Sequence, residues 1–332
     1  MQLSDNEISI LLLCSDIGLV KGGVTALTQS EWGNFYNKLI ENSLEPDLIL
    51  KEDMASILAS FGYDEEFIER VKKLADRSMK LSVGLEELSH DGINIMTIMD
   101  NNYPKLLLKK LQDKTPPVFY YVGDASHANK VGIGIVGSRN ISDSGLEFTK
   151  NMARKAAAEK LVIYSGGARG VDTISEYEAM NNKGIAVEYI ADSMYKKMKS
   201  PDAIRAIMDG RLLMLSDMNP RTGFIAWRAM NRNKYIYAAS YGTFVVESDY
   251  NSGGTWSGAK EAIKKNLTRV YVRDDLSIKG NQEIIKLGGI PYKEDSGSLK
   301  ELIMTPIPDK SGGGDSGAGD SDSDYKQLSL FD

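Results

Sequence analysis

Sulfur chemistry and metal binding have almost nothing to work with in this sequence. Its 332 residues hold one cysteine, Cys14, and two histidines, His90 and His127. A single cysteine excludes an internal disulfide framework and a cysteine-clustered metal site. Two scattered histidines are too few for a zinc centre. No apolar run reaches 18 residues, so no segment is expected to span a bilayer. The opening Met1-Gln2-Leu3-Ser4-Asp5 lacks the basic region of a signal peptide. The expected setting is the reducing cytoplasm, with no metal and no cofactor.

Positive charge is also short, with a formal net charge of −6. Residues 311–332 hold five Asp and one Lys, a net of −4, which leaves −2 for the first 310 residues. Within that body, residues 193–234 carry nine Lys or Arg against three Asp, a net of +6. Two readings stand for this stretch. It forms a local basic patch of the kind that tracks phosphates, or it is a solvated helix face.

What is present is mostly patterned apolar sequence, at 42% of residues, enough for a sizeable core. Residues 1–85 read as a helical domain. Leu11, Leu12, Leu13, Ile17 and Leu19 fall in one amphipathic segment, and Ile57, Leu58, Phe61 and Phe67, Val71, Leu74 in two more, broken by Gly62 into a hairpin. Residues 86–129 read as a connecting segment with a short apolar run at 93–98 and turns at Tyr103-Pro104 and Pro116-Pro117. From 130 to 308 the pattern alternates. β-Branched runs at 131–136, 161–164, 185–190, 211–215, 243–247 and 269–273 are separated by helical stretches near 143–159, 171–182, 201–209, 224–238, 257–266 and 281–287. Such alternation predicts a doubly wound α/β domain with a mostly parallel sheet of about six strands. Residues 309–324, rich in Gly, Ser and Asp, cannot bury enough apolar area to offset chain entropy and read as a disordered, self-repelling linker. Residues 325–332 close with Tyr-Lys-Gln-Leu-Ser-Leu-Phe-Asp.

In parallel sheets ligands bind beyond the carboxyl ends of the strands, and four stretches there carry unusual chemistry. The first strand runs into Gly137-Ser138-Arg139, with Ser142, Asp143 and Ser144 as caps for the next helix. A glycine, a cation and helix N–H groups suit a phosphate. The second strand leads to Ser165-Gly166-Gly167-Ala168-Arg169-Gly170-Val171-Asp172. This is an anion-binding nest, or a tight turn in which Arg169 pairs with Asp172. It is neither a Walker loop nor a dinucleotide fingerprint. Third come Arg228 and Arg232-Asn233-Lys234 among Trp227, Tyr235 and Tyr237. Cations between aromatics can clamp a backbone and stack bases, while the aromatics alone also fit a helix core. Fourth, Glu247 through Thr255 runs from a strand into a helix, and Ser252, Gly253, Gly254 and Thr255 can offer backbone donors to an anion. No serine has an evident base nearby, so nucleophilic hydrolysis lacks its partners. The carboxylates Asp172, Glu176, Glu247 and Asp249 leave a carboxylate-driven reaction open.

Taken together, these loops resemble the DprA/Smf family of DNA-processing proteins, from about Tyr103 to Pro291. The marks are Tyr103-Pro104, Ile135-Val136-Gly137-Ser138-Arg139, Ser165 through Asp172, Arg232-Asn233-Lys234 with Ser240, Val245-Val246-Glu247, Ser252-Gly253, Gly280-Asn281 and Gly288-Gly289. The resemblance implies an extended Rossmann fold, a homodimer, and single-stranded DNA held by Arg139, Arg169, Arg232, Asn233 and Lys234. It also implies delivery of that DNA to the recombinase RecA, by binding and without turnover, and a helical N-terminal domain of sterile-alpha-motif type. Three positions depart from the family pattern: Lys234 replaces an arginine, Glu176 a histidine, and Asp217 a glutamate. Natural transformation, repair, phage defence and control of a partner toxin all stay open as pathways.

Two further readings complete the set. Ser252-Gly253-Gly254-Thr255 with Glu261 resembles the glycine-rich and glutamate pattern of the Lonely Guy nucleotide phosphoribohydrolases, so a nucleotide sensor or hydrolase is the alternative function. Gln327, Leu328, Leu330 and Phe331 resemble the peptide by which bacterial replication and repair proteins dock on the sliding clamp, with apolar anchors on a long tether. The DNA reading requires Arg139, Arg169 and Arg232 at one rim of the sheet.

Overall fold

The computed structural model describes residues 3–294 and 296–305. The acidic linker and the final peptide lie outside the described residues. Helices α1 (Asp5–Cys14), α2 (Gln29–Glu41), α3 (Met54–Ser60), α4 (Glu65–Ala75) and α5 (Ser78–His90) form the N-terminal layer. Ser4 and Glu7 close a capping box at the start of α1, and Thr28 and Glu31 do the same for α2. Ile10, Leu11, Leu12 and Leu13 are all fully buried. Four consecutive buried residues leave α1 no solvent face there, so it is the core of this layer rather than an amphipathic surface helix. Arg77, itself buried, donates to the carbonyls of Leu11, Leu12, Ser15 and Ile17 and so satisfies the end of α1.

One sheet of nine strands organises the rest: β1 (Asn94–Thr97), β2 (Val118–Val122), β3 (Gly132–Val136), β4 (Val162–Ser165), β5 (Ala186–Tyr189), β6 (Leu212–Ser216), β7 (Gly242–Val245), β8 (Arg269–Arg273) and β9 (Ile290–Tyr292). Their order is β1-β2-β6-β5-β4-β3-β7-β8-β9. Strands β3 to β9 pair in parallel, and β1 and β2 add an antiparallel edge on β6. The doubly wound, mostly parallel fold expected from the alternation is present, and all six expected strands are found. The segment read as a connection contributes β1 and β2 to the same sheet. The aromatic run Val-Phe-Tyr-Tyr-Val of β2 is buried along its whole length. β9 contains Pro291, which fits its edge position.

Helices cover both faces. After α6 (Lys105–Leu111), α7 (Asp143–Ala158), α8 (Val171–Asn181), α9 (Met194–Lys197), α10 (Pro201–Met208), α11 (Ala226–Ala239), α12 (Gly253–Lys264), α13 (Lys279–Lys286) and α14 (Leu299–Met304) follow. Strand residues alternate between two cores. Ile163, Phe244 and Tyr271 face α7, whereas Val162, Tyr164, Val245, Val270 and Val272 face the core that includes α11, α12 and the N-terminal layer. Among the described residues no helix is long and apolar enough to cross a membrane.

Chain direction fixes where a ligand goes. From β3 the chain steps through β4, β5 and β6 on one side, then returns through β7, β8 and β9 on the other. The switch lies between β3 and β7, where Val136 pairs with Val245. Gly134 is level with Tyr164, so the loops leaving β3, β4 and β7 open at one edge.

Candidate nucleic-acid interface

A cleft of about 430 Å³ lies at that switch point. Its walls are Gly137 to Asn140 after β3, Ala168 and Asp172 after β4, Ser252 to Thr255 after β7, and one side of α11. Gly170 has φ of +91° and a Cβ there would lie 2.3 Å from the Ser138 carbonyl, so only glycine lets the first two loops touch. Thr255 Oγ1 donates to the Gly137 carbonyl at 3.0 Å and ties the fourth loop to the first, instead of capping its own helix.

Arg139 is exposed at the lip, with its guanidinium carbon 5.7 Å from the Phe224 ring centre. Arg169 is also exposed. It donates to Asn140 Oδ1 at 2.6 Å and so stands beside Arg139; it does not pair with Asp172. Both guanidiniums keep donors for an anion. The start of α12 adds more, because Ser252 makes no side-chain cap and Gly253, Gly254 and Thr255, in its first turn, line the cleft.

Arg232 lines the same cleft from beneath, yet it is only 7% exposed. Its Nη1 donates to the Tyr189 carbonyl at 2.5 Å. Burial pulls this guanidinium below its ordinary value, and the carboxylates of Asp172, Glu176 and Glu188 oppose the pull. A Cβ on Gly166 would lie 1.7 Å from Arg232 Nη1, so Gly166 is small for the sake of that packing. Ser165, fully buried, donates to the Ile135 carbonyl at 3.2 Å and joins β4 to β3.

The glycine nest after β4 is filled from within. Gly167 N–H donates to Glu176 Oε1 at 2.9 Å, and Ala168 N–H to Asp172 Oδ2 at 3.4 Å. These two backbone donors are therefore engaged by the chain's own carboxylates, and the exposed Arg169 is what this loop offers outward. Lys197 supports the turn, donating to the Gly167 carbonyl at 2.9 Å and pairing with Glu188 at 2.7 Å. Burial alone would lower its pKa, but Glu188 and Glu176 outweigh that and raise it. Burial pushes the Asp172 carboxyl up to about 6 against the opposing charge of Arg232. It pushes Glu176 up as well, helped by Glu188 alongside.

The remaining sequence candidates divide. Asn233 faces the cleft and donates to the Gly254 carbonyl at 3.2 Å. Arg228 lies on the other side of α11, and Lys234 donates to Gln29 Oε1 at 3.3 Å on α2. The nine cations of residues 193–234 do not form one patch: Arg221 pairs with Asp91 at 3.0 Å, and Arg211 donates to the Met180 carbonyl. Glu247 accepts from Ser142 and pairs with Arg273 at 3.2 Å, holding β7 to the start of α7. Glu261, on which the phosphoribohydrolase resemblance rests, is outside the cleft in an ion pair with Lys265. Phe224 and Lys197 were not singled out in the sequence; neither sits in a motif, and only the fold brings Phe224 to the cleft and Lys197 behind the Gly167 turn.

The family model for DNA recombination-mediator protein A matches residues 94–302, from β1 into α14. The DNA processing protein DprA of Bacillus subtilis is 30% identical over 225 residues, covering 64% of this chain and 75% of that protein. The Smf protein of Synechocystis is 26% identical over 247 residues, 66% of this chain and 60% of its own length. Among solved structures, DprA of Streptococcus pneumoniae superimposes with a TM-score of 0.64 at 20% identity, over 93% of this chain and 100% of that one. DNA processing protein A of Helicobacter pylori, described for its single-stranded DNA binding mode, gives 0.52 at 22% identity over 65% and 95%. These two likenesses place the fold, and the family match spans well over half the sequence: the chain belongs to the DNA recombination-mediator protein A family.

Proposed function

We propose that the protein takes part in DNA processing by holding single-stranded DNA along its sugar–phosphate backbone in the switch-point cleft, as a binding protein without turnover. The observation that carries this is that Arg139 and the uncapped start of α12 line one cleft, with Arg169 hydrogen-bonded to the cleft residue Asn140. Exposed guanidiniums and helix N–H groups select phosphate without reading base identity. The name of the Helicobacter pylori relative supports the same ligand. Two carboxylates line the cleft, Asp172 and Asp249, and no nucleophile with a base accompanies them. With Glu261 turned away, the nucleotide-hydrolase alternative has lost its glutamate.

The test sets oligonucleotides of increasing length against mononucleotides in equilibrium binding. Affinity that grows with length and falls with salt supports the reading. Tight binding or cleavage of a mononucleotide contradicts it. Three extensions belong to the same proposal: delivery of the strand to a RecA recombinase, assembly as a homodimer, and tethering to the sliding clamp through Gln327, Leu328, Leu330 and Phe331. The first rests on family membership, the second on the sequence resemblance, and the third on the tail sequence alone.

A further inference from the structure

Helix α11 has a cavity on each side. Ala226, Ala229, Met230 and Asn233 face the cleft just described, while Trp227, Arg228, Asn231 and Tyr235 face a second cavity of about 560 Å³. The far wall of the second is the N-terminal layer, at residues 14–16 and 26–30, with Asp217 to Asn219 after β6. Between the two cavities the helix and the residue leading into it form a ridge whose apolar side chains are left in solvent: Phe224, just before α11, is 52% exposed, Trp227 60% and Met230 52%. Adjacent exposed apolar groups between two polar clefts mark a contact surface.

The chemistry of this second cavity differs from that of the first. Two carboxylates and one guanidinium line it, a net of one negative charge, so it repels a phosphate chain. Asp217 Oδ2 accepts from Tyr235 at 2.7 Å and from Gln29 at 3.3 Å. Asp16 Oδ1 accepts from Tyr120 at 3.2 Å and from Asn219 at 3.1 Å. In each residue the second oxygen accepts no hydrogen bond among the described residues. Arg228 Nε is buried and has no partner, and the guanidinium carbon lies 5.2 Å from the Trp227 ring centre. The site therefore offers free acceptors, the unpartnered guanidinium of Arg228 and a flat aromatic wall, in a volume typical of small-ligand pockets.

We propose that this cavity receives an unstacked nucleobase bearing an exocyclic amino group, from the same strand whose backbone the cleft holds. The inference rests on the reading of the cleft. A helix with its side chains is about 10–12 Å across, which a single strand crosses in roughly three nucleotides at about 3.4 Å each. A carboxylate accepts from the amino group of cytosine, adenine or guanine; thymine has no amino group and presents carbonyl oxygens instead. Trp227 supplies the stacking face and the Arg228 guanidinium a donor for a ring nitrogen or carbonyl.

The test uses the full chain with dodecamers of dC and of dT at fixed ionic strength. Trp32 is 2% and Trp256 7% exposed, so Trp227 is the tryptophan in reach of a base. Saturation with oligo-dC quenches tryptophan emission in the wild type and not in Trp227→Phe. Oligo-dC binds roughly fivefold or more tighter than oligo-dT. Asp16→Asn, at an exposed position, and Asp217→Asn each narrow that ratio by weakening oligo-dC alone. Equal affinities in the wild type overturn the inference, as does quenching that survives in Trp227→Phe. If both oligonucleotides bind equally and both depend on Arg139, the cleft stands and only this cavity is refuted. If neither binds, the reading of the cleft falls and this inference falls with it.

Discussion

Arg232 lies under Gly166 with its guanidinium on the Tyr189 carbonyl, among three buried carboxylates, while Arg139 stands in solvent at the lip of the same cleft. Substitution of the two should separate stability from binding. Removing Arg232 strands buried carboxylates, and Arg232→Ala is expected to cost about 3–5 kcal/mol of folding stability. Gly166→Ala forces the guanidinium aside and is expected to cost about 1–3 kcal/mol. Arg139→Ala should stay within about 0.5 kcal/mol of wild type. Urea midpoints at constant m-value check all three. The glycines and arginines at the strand ends were legible in the sequence as candidates for one site. Which arginine faces outward was not, since Arg232 and Arg139 differ only in what folds over them.

Asp172 belongs to the same scale. Its carboxyl titrates near 6 because burial penalises the charged form. As pH falls through that value Asp172 gains a proton, loses its negative charge and leaves Arg232 less compensated. Affinity for single-stranded DNA is therefore expected to rise between pH 7 and pH 5. In Asp172→Asn that rise should be smaller, because the charge is already absent. Binding isotherms at constant ionic strength across this range decide it; an identical pH profile in the variant contradicts the assignment.

At the scale of elements, the six β-branched runs were readable as strands because parallel strands buried on both faces are continuously apolar. β1 and β2 were harder, since β1 pairs antiparallel with β2 alone, and β2 joins the sheet on β6 through contacts more than 90 residues apart in sequence. Strand order was equally hidden. It follows from long-range packing, yet it brings the loops after β3, β4 and β7 together. Helix α11 shows the same limit. Its basic and aromatic residues were visible, but the angle at which it packs sends Asn233 to the cleft and Arg228 to the opposite side. The loop after β4 was read as an anion-binding nest or as a tight turn pairing Arg169 with Asp172, whereas Glu176 and Asp172 bond its backbone and Arg169 turns to Asn140. A carboxylate four to nine residues downstream of a glycine turn is a signal for that outcome.

At the scale of the whole molecule, the formal charge of −6 is uneven, with −4 of it in the last 22 residues. The rest of the chain is therefore close to charge balance, and a local cluster of exposed cations suffices to attract phosphate. Ending the chain at Asp324 removes Gln327, Leu328, Leu330 and Phe331. The truncated protein is expected to lose binding to the sliding clamp while its affinity for single-stranded DNA stays within twofold. Surface plasmon resonance on immobilised clamp measures the first and fluorescence anisotropy the second. Equal clamp binding by both chains contradicts the tether.

The most direct measurement is the salt dependence of oligonucleotide binding by the wild type and by an Arg139→Ala, Arg169→Ala double variant. For single strands each phosphate contact contributes about 0.7 to the slope of log affinity against log salt. The double variant is expected to bind oligo-dC and oligo-dT several-fold more weakly, with a slope shallower by about 1.4 for both. Unchanged affinity and slope would show that the strand, if bound at all, does not run past these two guanidiniums.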